Sequence, residues 1–216
     1  MDMTDVVLPC LDEAAALPSV LGAMPDGYRA IVVDNGSRDG SPEIAASLGA
    51  TVIHEPRKGY GAAVHTGLEY ASSELVCFMD ADASLDPADL PRLVASVRAG
   101  ADLAVARRMP VSGNVWPWHA RAGNAVLSAV LRSRGLPVTD IAPMRVADRV
   151  KLLALGIEDR AFGYPLELLI RAGKHDWRIV EHKVAYRERA AGTKSKVSGS
   201  VKGTLRAVRD MAGVLR

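Results

Sequence analysis

Residues 28–53 read YRAIVVDNGSRDGSPEIAASLGATVI, and this stretch decides the fold. An apolar run at 28–33 breaks into a polar turn at Asp34. Residues 41–48 have helical character, with Pro42 in the first turn and Asp39 or Ser41 placed to cap it. A second apolar run follows at 50–53. Strand, helix and strand in close succession predict a parallel pair with a crossover helix.

The alternation continues outward in both directions. Upstream lie a short apolar run at 5–8 and a helix at 17–24, whose Leu17, Val20, Leu21 and Met24 share one face. Downstream come a helix at 61–71, a strand at 74–79, a helix at 87–99 and a strand at 102–106. The expected class is α/β, a Rossmann-like doubly wound, mostly parallel sheet with flanking helices. Its near-continuous apolar strands fit burial on both faces. The second half is less regular. A Gly/Pro/Trp loop, VSGNVWPWH at 111–119, precedes a helix at 120–133. Strand-and-loop at 138–146, helices at 149–155 and 166–172, and a strand with a loop at 177–186 follow, then a last helix from 198.

With 216 residues, 49% hydrophobic and 24% charged, the chain can bury a sizeable core and is not of the disordered class. No apolar run reaches the roughly 18 residues of a membrane span. The start, MDMTDVVLPC, is acidic and enters a strand at once, unlike a signal peptide. Cys10 and Cys77, both inside apolar runs, argue against a disulfide framework and fit a reducing, cytoplasmic setting. The net charge of +2 is uneven. Residues 187–216 hold eight Lys/Arg against two acids, net +6, while the remainder holds 19 against 23, net −4. In the tail, Val197, Val201, Leu205, Val208, Met211 and Leu215 form one helical stripe among basic residues. Such a helix can lie in a membrane interface, or pack its stripe onto protein. Trp116 and Trp118 offer a similar choice between interfacial anchor and lid.

In open parallel sheets, ligands bind outside the carboxyl ends of the strands, and the polar features here gather there. The first strand ends in Pro9-Cys10-Leu11-Asp12-Glu13 and the second in Asp34-Asn35-Gly36-Ser37-Arg38-Asp39. Lys58-Gly59-Tyr60-Gly61 follows the third, a turn suited to close backbone approach and a phosphate cation. The fourth ends in Asp80-Ala81-Asp82. Two carboxylates that close repel. A divalent cation, Mg²⁺ or Mn²⁺, relieves the repulsion and bridges to phosphate. Helix capping by Asp82 or Ser84 is the plainer alternative.

Together these segments resemble family 2 glycosyltransferases of the GT-A fold. VLPCLDE, VVDNGSRDGS, RKGYGAAVHTGLEYA and FMDADASLDP are similar, in that order, to the family's opening motifs. DIAPMRVADR, FGYPLELLIRAG and VAYRERAAGTKSKVSG are similar to segments of the polyprenyl- and dolichyl-phosphate mannosyl- and glucosyltransferase branch. The resemblance implies a single catalytic domain over 1–216, with a nucleotide-sugar half at 1–108, an acceptor half at 109–196 and a basic helix at 197–216. It implies inverting transfer from a nucleotide-sugar. Asp80 and Asp82 would hold Mg²⁺ or Mn²⁺, and Pro9, Leu11, Glu13, Asp34, Asn35, Lys58, Gly59 and Ala81 would frame the donor. Asn35 departs from the aspartate usual there, which changes what can be read on the base.

A hydroxyl acceptor needs a general base, for which Glu167 is the first candidate and Asp140 the second. Glu167 is equally placed to pair with Arg171 one turn on. A lipid phosphate needs only cations, offered by Arg107, Arg121, Arg145, Arg187, Arg189 and Lys196; Arg108 reads instead as a surface or ion-pair arginine. The expected acceptor is a polyprenyl phosphate, reached by peripheral contact at the inner face of the membrane, with a soluble acceptor as the alternative. No nucleic-acid partner is expected, and a homo-oligomer is compatible. A sugar-phosphate nucleotidyltransferase would carry a Gly/Arg-rich loop where PCLDEAAALP stands.

Overall fold

The computed structural model describes residues 3–113, 115–141, 143–190, 209–211 and 213–214. Seven strands form one sheet in the order β3-β2-β1-β4-β6-β5-β7. They are β1 (Thr4–Cys10), β2 (Tyr28–Asp34), β3 (Thr51–His54), β4 (Leu75–Phe78), β5 (Leu103–Pro110), β6 (Arg145–Asp148) and β7 (Ile179–Tyr186). All run parallel except β6, which is antiparallel to both β4 and β5. That reversal brings the start of β6 to the edge where the other strands end: Arg145 sits opposite Phe78 on one side and Val105 on the other.

Alternation along the strands sorts the core into two layers. Val7, Ile31, Val33, Val76, Phe78, Leu103 and Val105 face one way. There they meet α3 (Tyr60–Tyr70), α6 (Arg149–Ala154), α7 (Tyr164–Lys174) and Leu131 of α5 (Trp118–Ser133). Val6, Leu8, Ala30, Val32, Cys77 and Ala104 face the other way, against α1 (Leu17–Gly22), α2 (Ser41–Ser47) and α4 (Leu90–Arg98). Each such Val or Leu contributes about 1.5–3 kcal/mol when buried. Helix α3 sits very close to the sheet: a Cβ on Gly67 would stand 2.3 Å from Val7 Cγ1. Met211 and Val214 pack against the layer that holds α7. At its described end, therefore, the tail rests on protein.

Local capping differs from expectation. The position before α2 is Gly40, in the left-handed region, and Asp39 caps from one residue further back, accepting from Ser41 N–H. At the other helix in question, neither Asp82 nor Ser84 is the cap. Asp86 accepts from Ala88 N–H and opens a 3-10 turn, Pro87–Asp89, ahead of α4. Pro87 forces that turn, so the residue directly before it takes the capping position.

Candidate active site

The strand ends converge as one hydrogen-bonded rim. Asp34 closes β2, and its buried carboxylate accepts from the N–H groups of Gly36 and Ser37 and contacts His54 Nδ1 at 3.1 Å. Burial pushes its pKa up, but those bonds outweigh it and hold the group below the usual range. Asp12 takes a left-handed backbone, φ 55°, and accepts from Arg38 N–H at 2.9 Å. Glu13 N–H donates to Ser41 Oγ at 2.9 Å. The β1 and β2 loops are thus tied together, with Pro9, Leu11 and Glu13 along the seam.

Asn35 has a specific task. Its amide donates to the carbonyls of Glu55 and Arg57, and its oxygen accepts from Gly59 N–H. The side chain is spent on shaping residues 55–59 rather than turned to a ligand base. An aspartate could not donate to two carbonyls. Glu55, buried beneath the same turn, is gripped by Arg57 and Thr66. Arg57 is the main reason its pKa falls to about 2.

The close approach at Lys58-Gly59-Tyr60-Gly61 is to the protein itself. Gly59 has φ +152°, and a Cβ there would lie 2.1 Å from the Arg160 carbonyl oxygen. Gly61 and Ala62 donate their N–H groups to the carbonyls of Ala161 and Arg160. The N–H groups of Gly61 and Ala62 in the first turn of α3 are therefore satisfied by a loop of the second half. Lys58 is exposed at the tip of the turn.

Strand β4 ends at Phe78, so Asp80 and Asp82 project from the bend beyond it. Burial, then the neighbouring charge of Asp82, raises Asp80 to about 6, against the pull of Arg189, Arg108 and Arg145. Asp82 is buried. It accepts from Ser84 N–H and pairs with Arg189 Nη1 at 2.7 Å. The chain beyond β7 is laid along this bend: Arg187 N–H meets the Ser84 carbonyl and Ala190 N–H the Asp82 carbonyl. Arg187 also pairs with Asp86 at 2.8 Å.

Of the remaining candidates, Asp140 is buried and bound twice by the Arg108 guanidinium, at 2.7 and 2.9 Å. Arg108 lies 4.0 Å over Trp116 and 5.4 Å from Tyr186. Of the surface and ion-pair roles read for it, it takes the ion pair, partly buried, and its charge also acts on Asp80. Arg107, its neighbour on β5, points to the opposite face of the strand. Arg145, expected at an acceptor, is buried and donates to the carbonyls of Pro165 and Ile141. Burial lowers its pKa to about 10. Arg121 is exposed on α5. Lys196 lies outside the described residues. Glu167 is on α7, and its carboxylate accepts from the N–H groups of Glu158 and Asp159 and from Arg171 Nε. Burial acts to raise its pKa, but these bonds prevail and hold it low. The sequence missed Tyr60. Burial raises its hydroxyl pKa well above the usual range, and the charges of Asp80, Arg145 and Asp82 also act on it. Only its place beside Gly59 hinted at it.

Residues 5–146 match the model of Glycosyl transferase family 2. The chain belongs to that family. This family 2 enzyme is 55% identical over 215 residues to an uncharacterized glycosyltransferase of Mycobacterium tuberculosis, covering 99% of this chain and 98% of that one. It is 31% identical to the polyprenol monophosphomannose synthase of Mycolicibacterium smegmatis, over 91% of this chain and 82% of that one. Among solved structures it is similar to glucosyl-3-phosphoglycerate synthase from Mycobacterium tuberculosis in complex with Mn²⁺, uridine diphosphate and glucosyl-3-phosphoglycerate. That match has TM-score 0.78 and 25% identity, and covers 99% of this chain and 78% of that one. The sheet is therefore the GT-A arrangement, and the protein is a glycosyltransferase.

Proposed function

We propose that this glycosyltransferase moves a sugar, with inversion, from a nucleotide-sugar to an anionic phosphate acceptor, a polyprenyl phosphate. One observation carries the acceptor reading: both acids that could act as a general base are committed elsewhere. Asp140 neutralises Arg108, and Glu167 is bound by two backbone N–H groups and Arg171. A phosphate needs no proton removed at neutral pH. It needs cations, and Arg187 and Arg189 stand around the Asp80–Asp82 bend, paired with Asp86 and Asp82, carboxylates that a phosphate could displace.

Asp80 and Asp82 suit a hard divalent ion. They are two mutually repelling carboxylates in a half-dry setting, and Ser84 Oγ beside them is buried with no hydrogen-bond partner. Among the described residues no group of three or more His, Cys, Asp or Glu could hold a metal. Further ligands would have to come from diphosphate and water. Mn²⁺ or Mg²⁺ bound there would supply Lewis-acid relief of charge on the departing nucleoside diphosphate. The protein's own part is orientation. The Asn35-shaped turn holds Tyr60 near the bend with Lys58 exposed at its tip, and the seam from Pro9 to Asp34 frames the nucleoside.

The lipid reading draws on α5. Of its 16 residues only Ser128 and Leu131 are buried. Trp118 is 79% exposed and Val126 64%. Residues 103–139 contain five arginines and no acid. A basic, apolar, uncovered helix suits an anionic bilayer surface. No helix among the described residues is long and apolar enough to cross a membrane. A soluble phosphorylated acid is the second reading, favoured by the likeness to glucosyl-3-phosphoglycerate synthase over 99% of this chain.

The test is direct. The protein is incubated with Mn²⁺, a panel of nucleotide-sugars, and either polyprenyl phosphate in anionic vesicles or 3-phosphoglycerate. A chloroform-soluble sugar phosphate is the expected product. Transfer to 3-phosphoglycerate alone selects the second reading, and transfer to neither, with donor bound, overturns both.

A further inference from the structure

Glu167 is too far committed to serve as a base, yet its bonds lead somewhere. It holds the N–H groups of Glu158 and Asp159 at 2.7–3.1 Å. Arg171, one turn along α7, binds the same carboxylate, the Leu155 carbonyl and Glu158 Oε1. The loop 155–159 is thereby fixed to α7. It stays rigid into the next residues: Arg160 Nη1 donates to the Ile157 carbonyl and Ala161 N–H to Asp159 Oδ1, both at 2.7 Å. Carbonyls 160 and 161 then receive the first N–H groups of α3, at 2.8 and 3.0 Å. Gly59 and Gly61 press against that same backbone with no room for a Cβ. Asn35 grips the turn from the opposite side through Gly59 N–H. Residues 58–60 are therefore clamped between the donor half and a loop that α7 governs.

We propose that Glu167 is a positioning residue of the donor site, fixing the turn at Lys58 and, with it, Tyr60 near the Asp80–Asp82 bend through the loop 155–161. This rests on the glycosyl-transfer reading but not on which acceptor is used. It accounts for an acid whose carboxylate is bonded to a backbone loop and to Arg171. Any strain on α7 is passed through two peptide carbonyls to the turn that carries the phosphate cation.

The probe is whichever of UDP and GDP raises the melting temperature of the wild-type protein in Mn²⁺. Its dissociation constant is measured by calorimetry for wild type, Glu167→Ala, Glu167→Gln and Arg171→Met, with hydrogen exchange followed over residues 58–63. Glu167→Ala and Arg171→Met are expected to weaken binding by about fivefold to tenfold, the scale of one net hydrogen bond, and to speed exchange at Gly61 and Ala62. Glu167→Gln keeps one amide oxygen for the loop N–H groups but turns its NH₂ toward Arg171, so its affinity should lie between wild type and Glu167→Ala, and the pH profile of turnover should keep its shape. Wild-type affinity in both Glu167→Ala and Arg171→Met would overturn the proposal. So would equal loss of turnover, about a hundredfold, in the Ala and Gln variants with the acidic limb of the pH profile abolished, because that is how a general base behaves. Either result leaves glycosyl transfer standing. If neither nucleotide binds wild type, the assignment of this rim as the donor site falls and this proposal with it. Should Glu167→Ala fail to fold, Arg171→Met alone decides.

Discussion

A carboxylate set against the carbonyls of Glu55 and Arg57 would repel both, so position 35 is suited to an amide. Asn35→Asp should cost about 1–3 kcal/mol through two carbonyls left without donors, and should weaken nucleotide binding with the turn it shapes. Urea denaturation and calorimetry check the two effects. Arg108 and Asp140 make a buried pair in which neither charge can be left alone. Arg108→Met is expected to destabilise by about 3–5 kcal/mol, since Asp140 stays buried with its charge unpaired and the backbone N–H of residue 108 left to bond it. Glu55 gives the pH dependence. Its folded pKa, about 2, lies below the ordinary 4.5, chiefly through Arg57. The ionised form favours the fold, so its contribution is complete above about pH 5 and is lost as pH falls through 4.5 toward 2. Glu55→Gln should flatten the acid limb of the stability curve over that window, as followed by circular dichroism.

Among the elements, α3 is the most constrained. It touches the sheet through Gly67, meets the second half through Gly61, and starts at the Lys58 turn. Gly67→Ala drives a methyl into Val7 and Val33 and should cost about 1–3 kcal/mol as the helix is pushed off the sheet. Because α3 carries the turn at its start, that variant should also lose nucleotide affinity at temperatures where it stays folded. Helix α5 is the opposite case, lightly attached and largely uncovered. Trp118→Ala should leave the melting temperature unchanged and weaken partitioning into anionic vesicles by about tenfold, the loss of roughly 1.5 kcal/mol of apolar burial. Vesicle sedimentation reads this out; unchanged partitioning would leave α5 without a membrane role.

At the scale of the molecule, the two halves share one sheet and meet at one edge. The first half supplies the bend at Asp80 and Asp82 and the turn at Lys58. The second half supplies the cations, the loop behind the turn, and β6, whose reversal delivers Arg145 to the same edge. Asp80→Ala or Asp82→Ala should abolish Mn²⁺-dependent turnover, and chelation of wild type by EDTA should do the same. Full activity in EDTA would refute the assignment of a metal to these two residues.

The order of strands and helices in the first half, and the gathering of acids at the strand ends, were legible in the sequence. They depend on local periodicity and on chain direction, which apolar runs and prolines record. The DADASLDP bend was equally plain, since two acids directly after a buried run leave few explanations. What Asn35, Asp140, Arg145 and Glu167 do was decided only by the tertiary structure. Asn35, Asp140 and Arg145 are each occupied by a group 20 or more residues away, while Glu167 takes Arg171 at the spacing the sequence allowed and also the backbone of residues 158 and 159, which it did not show. Glu167 reaches the donor turn through a loop that meets α3 about 100 residues distant in sequence. The antiparallel β6 was hidden for a similar reason: four residues of strand carry no mark of direction, and only the packing of β4 and β5 on either side fixes it. Periodicity in a sequence shows which faces are buried, but the partner of each buried polar group becomes visible only when distant segments meet.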